Sequence, residues 1–251
     1  MICIPSLGRP DSKTARLLNE HGIAFKIFVE THEYGAYRDL WGADRVVSLP
    51  GKDYGCAAYA RNFIKSYARD RDNIFWMIDD DIRCFYKREG QKLVKVDPGE
   101  PLEYGFEFIH KYSNLATFGY PANTWARFAK YPHQINKMNY GCYVVNPHHP
   151  FEYTPKTADD LDMCLQILTG GWCTWLNNEY AFDMVPMQSQ SGGYTDIRAN
   201  GGDLRRKKAV CAKWKDLTLV RKDNTNLDWR VDSGRIWKQF THRPILRHAK
   251  D

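Results

Sequence analysis

Asp79, Asp80 and Asp81 follow directly on an apolar run, Ile74-Phe75-Trp76-Met77-Ile78. Three like charges at the end of a buried strand are costly unless something compensates them. A divalent cation does so, because Mg²⁺ and Mn²⁺ take hard oxygen ligands. In an extended chain Asp79 and Asp81 point to one side and Asp80 to the other, so the first two form the candidate metal pair. An acidic turn capping a following helix is the alternative. A second acidic group, Asp159, Asp160 and Asp162, opens a helical stripe of Leu161, Leu165 and Leu168. Thr157 and Asp160 have capping-box spacing, and a helix N-terminus favours negative charge. Capping explains such a cluster, but a carboxylate there can also act as general base toward a hydroxyl.

The elements that must position these groups follow from periodicity and turn residues. Strands are expected at Met1–Pro5, Phe25–Val29, Val46–Pro50 and Ile74–Ile78. Helices are expected after Ser12-Lys13-Thr14, ended by His21-Gly22, and over Cys56–Arg69. Strand–helix alternation with short loops implies a parallel, doubly wound sheet. Ligands of such sheets bind beyond the C-terminal strand ends, where Ser6–Arg9, Glu30–Tyr34 and Asp79–Asp81 all fall. Neither GxGxxG nor GxxxxGK[ST] is present, which counts against dinucleotide-binding and P-loop classes. Further along, a hairpin is expected around Glu89-Gly90, a helix over Leu102–Leu115, and strands over Ala116–Tyr120, Tyr140–Asn146 and Thr174–Leu176. Asn123, Trp125, Phe128, Tyr131, His133 and Asn139 lie between two of these strands, where they either pack in the core or stack on a sugar or base.

The 251 residues suffice for one α/β domain. It is expected to divide into two halves (1–100 and 101–185) followed by a loop with a basic segment (186–251). No apolar run approaches the roughly 20 residues of a membrane span. The chain enters Ile2-Cys3-Ile4 directly, leaving no room for a signal peptide. Seven cysteines without a CxxC pair suggest reduced thiols and a cytoplasmic setting. The net charge of +6 is uneven: residues 201–251 hold 14 Lys/Arg against 6 Asp/Glu, and residues 1–200 hold 22 against 24. A basic tail, with Arg205-Arg206-Lys207-Lys208 on an expected helix over Asp203–Lys215, suits a polyanion such as nucleic acid; a solvated helix face is the plainer reading. Gln188–Gly202 is glycine-rich and reads as a mobile loop or lid.

The order of these motifs resembles a GT-A glycosyltransferase. The carrying residues are Ile4-Pro5-Ser6-x-Gly8-Arg9-Pro10, Val29-Glu30 with Glu33-Tyr34, and Gly55 with Ala60-Arg61-Asn62. Trp76-Met77-Ile78-Asp79-Asp80-Asp81-Ile82 and Asp159-Asp160-Leu161-Asp162 before Gly171-Trp172 complete the set. More narrowly, the chain is similar to the TET/JBP-associated glycosyltransferases of bacteriophages over roughly residues 2–175. The resemblance implies a Rossmann-like, mixed but mainly parallel sheet with flanking helices. It also implies a nucleotide-sugar donor (a UDP-sugar foremost), Mn²⁺ or Mg²⁺, and double-stranded DNA carrying a hydroxymethylated pyrimidine such as 5-hydroxymethylcytosine. By position, Pro5, Ser6, Arg9, Glu30, Arg61, Asn62, Asp79 and Asp80 would bind the donor. Asp79, Asp81 and His242 would bind the metal. Asp160 leads as general base, with Asp162 and Asp159 next.

Other functions share these features. A glycan or protein acceptor would keep the donor chemistry, and an inactive module would keep only donor binding. A nucleotidyltransferase would pair the aspartates with nucleoside triphosphates.

Overall fold

The computed structural model describes residues 1–51, 56–186, 189, 191–193, 195, 201–217, 220–222, 229–231 and 236–247. The first half alternates strands and helices: β1 (Ile2–Pro5), α1 (Lys13–Glu20), β2 (Lys26–Glu30), α2 (Tyr34–Trp41), β3 (Val46–Leu49), α3 (Ala57–Arg69) and β4 (Phe75–Ile78). A hairpin of β5 (Ile82–Glu89) and β6 (Lys92–Val96) follows, then α4 (Gly99–Ile109), β7 (Leu115–Gly119), α5 (Asn123–Ala126), β8 (His133–Ile135) and β9 (Cys142–Val145). The remainder is α6 (Asp159–Thr169), β10 (Cys173–Asn177), β11 (Tyr180–Met184), α7 (Gly202–Lys213), β12 (Val220–Lys222) and β13 (Trp229–Val231).

Eight strands form the main sheet in the order β3-β2-β1-β4-β9-β7-β10-β8. The first four run parallel, β9 runs against both neighbours, β10 is parallel to β7, and β8 closes the edge antiparallel. The fold is thus a mixed, mainly parallel GT-A-type sheet. Strand alternation sends Ile2, Ile4, Ile27, Trp76 and Ile78 to one face, where α1 and α4 cover them. Cys3, Phe28, Phe75 and Met77 face α3 on the other. Burial of both faces explains why these strands read as continuous apolar runs. A smaller sheet, β11-β5-β6, leaves the main one at Asp79–Asp81, and β12 and β13 form a separate ladder.

Some expectations shift. The expected helix over 102–115 begins at Gly99 and ends at Ile109, because Leu115–Phe118 is a fully buried strand next to β9 and β10. Strand β2 is offset by one residue, and the antiparallel members of the expected mixed, mainly parallel sheet are β8 and β9. Strands β8 and β11 and helix α5 were not anticipated. All seven cysteines are free, five of them buried. No described helix is long and apolar enough to cross a membrane.

Candidate active site

The turn after β4 is built from α1. Ser12 caps that helix by accepting from Ala15 N at 3.1 Å, and its hydroxyl donates to Asp80 O at 2.9 Å. Thr14 Oγ1 donates to Asp79 O and accepts from Ile82 N, so one hydroxyl spans the acidic turn. On the other side Asp79 N donates to Gly141 O at 2.7 Å. Gly141 has φ +68°, a left-handed conformation that glycine adopts without a Cβ penalty.

Because the chain turns here, the alternation expected of an extended segment does not hold. Asp80 and Asp81 both face Arg9, at 2.8 and 3.6 Å, and Asp79 faces Arg61 at 3.2 Å. Ser6 Oγ donates to Asp80 Oδ2 at 2.5 Å and also meets the Tyr37 hydroxyl, which accepts from Arg9 N. Gly8 N donates to Glu33. The three polar clusters thus converge on one sheet edge. Arg9 also donates to Ser191 O and Gly192 O, while Gly193 N donates to Leu7 O. A Cβ on Gly192 would lie 2.8 Å from Leu7 O, so only glycine allows this approach.

Arg61, on α3, is the second centre. Its Nη1 donates to Asp159 Oδ2 and Asp160 Oδ1, both at 2.6 Å, and its Nη2 to Asp79 Oδ1. The acidic start of α6 is therefore not a capping device. Thr157 turns back to Thr154 O and the N-cap, Ala158, makes no side-chain cap. Cations hold the aspartates instead. Arg206 donates to Asp159 Oδ1. Fully buried Asp162 accepts from Lys213, Gln166 and the Trp214 indole. Asp160 alone of the three keeps an oxygen to which no described residue donates. Burial, then Asp159 and Asp79, raise its carboxyl to about 7 against the pull of Arg61.

This geometry sorts the expected residues. Ser6, Arg9, Arg61, Asp79, Asp81 and Asp160 share the edge; Pro5 ends β1 beside Phe28, and Glu30 lies buried with Oε2 3.5 Å from His32. Asp80 is held by Arg9 and Ser6, so it shapes the turn instead of facing a donor. Asn62 spends both ends of its amide on the Tyr153 backbone and positions that segment. Asp162 is enclosed by donors and is not available as a base. His242 Nε2 bonds Trp172 O at 2.6 Å, and its carbonyl accepts from Asn136, so the structure does not bring it to the aspartates. Arg206 is an internal counter-ion and not part of an open basic face. Gly55 and most of 188–200 lie outside the described residues. Sequence reasoning missed Ser12, Thr14 and Tyr37; a serine one residue before an expected helix was the available signal.

Asp81 is the best-fitting ligand for a divalent cation. Its Oδ1 is buried with no hydrogen-bond partner among the described residues. Burial, then Asp79 and Asp80, raise its carboxyl to about 7. No three His, Cys, Asp or Glu side chains gather for a metal among the described residues. One or two carboxylates nonetheless suffice where substrate phosphates and water complete the shell, as is usual for Mg²⁺.

No curated protein matches the chain. Residues 1–193 match the TET-associated glycosyltransferase family, a span from β1 to the segment that docks on Arg9. It encloses the Arg9–Asp80 and Arg61–Asp160 pairs, and the chain belongs to the family of TET-associated glycosyltransferases.

Proposed function

We propose that the chain transfers a sugar from a nucleotide-sugar to the hydroxyl of a hydroxymethylated pyrimidine in DNA. The single observation that carries the catalytic assignment is the unshared oxygen of Asp160 beside the Arg61 hub. Asp160 accepts the proton of the acceptor hydroxyl as that oxygen attacks the anomeric carbon. Arg61 fixes the orientation of the carboxylate. Arg9 and the backbone around Gly8 form the donor side. Asp81, with Asp79, would hold Mn²⁺ or Mg²⁺, which when bound neutralises charge on the leaving diphosphate.

The test is a thermal-shift panel of nucleotide-sugars with and without Mn²⁺, followed by transfer to DNA containing 5-hydroxymethylcytosine. A donor at about 100 times its Kd stabilises the fold by roughly 2.7 kcal/mol. Selective stabilisation by a UDP-sugar, strengthened by Mn²⁺, supports the reading. Stabilisation by nucleoside triphosphates alone would transfer the site to nucleotidyl chemistry. Donor binding with sugar transfer only to a glycan would keep the enzyme and replace the acceptor.

A further inference from the structure

Beside the Asp160 edge stands a surface that donor chemistry does not use. Trp125, Phe128 and Tyr131 are 69, 82 and 67% exposed, the largest concentration of exposed aromatic side chains among the described residues. The backbone beneath them is firmly held. Ala126 is fully buried, and Arg88 donates to Ala126 O and Ala129 O. Asn178 fixes the next turn by donating to Tyr131 O at 2.9 Å and Pro132 O at 2.7 Å. The tip is a rigid support that keeps three apolar rings in water, an arrangement that marks interaction sites.

Charge identifies the occupant. Residues 108–151 contain no Asp or Glu and carry Lys111, Arg127, Lys130 and Lys137. Arg127 and Lys130 are exposed and alternate with the aromatics along the tip. On the adjoining β11 segment Asp183 is paired with Arg83 and accepts from Asn123, and Glu179 accepts from the Asn177 amide. The tip also adjoins the site. Trp125 N donates to Ala122 O, Ala122 bridges Phe182, the Phe182 ring lies 6.2 Å from that of Tyr140, and the next residue, Gly141, accepts from Asp79 N.

We propose that Trp125, Phe128 and Tyr131, with Arg127 and Lys130, form a clamp that stacks on unpaired nucleic-acid bases and meets their phosphates, holding the strand against Asp160. It deepens the reading of that edge as the acceptor side. Aromatic faces need bases out of the stack, and flanking cations need a polyanion; single strands and locally opened duplexes offer both. A fully paired duplex offers base faces only at its ends.

The experiment measures fluorescence anisotropy of the full chain with a labelled DNA oligonucleotide, single-stranded or fully paired, across a salt series. The single strand should bind more tightly. Replacing Trp125, Phe128 and Tyr131 together by alanine should weaken single-strand binding by about 10-fold or more with little change in the salt slope. Arg127→Ala with Lys130→Ala should flatten that slope by about 1 to 2. Thermal melts should stay near wild type, since all five side chains are exposed. Unchanged DNA affinity in both variants overturns the clamp, as does loss of binding to a neutral glycan with DNA binding intact. Donor-induced thermal shift separates the two proposals. If the donor stabilises the wild type but no oligonucleotide binds, the clamp fails and the transferase reading stands. If the oligonucleotide binds through the tip but no donor stabilises the chain, the reverse holds.

Discussion

Arg61 Nη1 donates to Asp160 Oδ1 at 2.6 Å, joining the helix that precedes β4 to the helix that begins at Asp159. The guanidinium is almost enclosed and has two further carboxylates, Asp159 and Asp79, within reach. Its planar fork suits such divided bonding in a way an ammonium does not. Arg61→Ala leaves buried Asp159 without one counter-charge, and breaking a buried pair in this manner costs about 3–5 kcal/mol. Urea unfolding should show this loss. A variant within about 1 kcal/mol of wild type would mean that Arg206 alone compensates Asp159.

Asp160→Asn should separate binding from chemistry. Asn keeps the bond from Arg61 but cannot take a proton. Transfer to the acceptor should fall by roughly 10² to 10⁴, the usual worth of general base catalysis. Donor-induced thermal shift should persist. Near-normal transfer would remove Asp160 from the mechanism and favour a route without a protein base.

Asp162→Asn should do the opposite. Its carboxylate accepts from Lys213, Gln166 and Trp214, joining α6 to the end of α7. Losing hydrogen bonds to a charged group costs about 1.5–3 kcal/mol. Stability should fall by about that much while the remaining folded enzyme turns over normally. Loss of turnover without loss of stability would return Asp162 to the catalytic set.

Asp81→Asn should abolish the Mn²⁺ dependence of donor binding with little effect on folding, because no described residue bonds Asp81 Oδ1. Isothermal titration with Mn²⁺ and donor measures this. Undiminished Mn²⁺-dependent binding would assign the cation elsewhere.

His149 gives the fold a pH dependence. Burial holds its imidazole down to about 3. The unfolded chain takes up this proton near pH 6.5 and the folded chain does not, so stability falls as pH drops through that window, by at most about 1.4 kcal/mol per pH unit. Above about pH 6.5 the contribution is complete. The stability difference between wild type and His149→Asn should therefore change between about pH 7 and pH 5. A constant difference would mean that His149 charges in place.

The main strands and the acidic turn were legible because β1, β2 and β4 are buried on both faces, and continuous apolar runs such as β4, ending in charge, stand out. The limits of α4 were not, since Phe108–Ile109 and Leu115–Phe118 are two apolar segments that pack in different elements across a five-residue break, His110–Asn114. Asp159–Asp162 was legible as a helix start. Its cation partners were not, because they lie about 100 residues before it and about 40–50 after it, and no local spacing joins them. For the same reason, the basic run at 205–208 read as a surface feature although Arg206 points inward to Asp159. Strand β8 is three partly exposed residues at a sheet edge, too short to leave a periodic signal.

The groups that answer the α6 carboxylates also bear on where the chain can be cut. The family match stops at residue 193, whereas Arg206, Lys213 and Trp214 lie beyond it. A fragment cut at the end of the match would retain Asp159 and Asp162 and discard partners they require. A unit that keeps these bonds extends through α7 to Trp214, beyond the span that the family pattern covers.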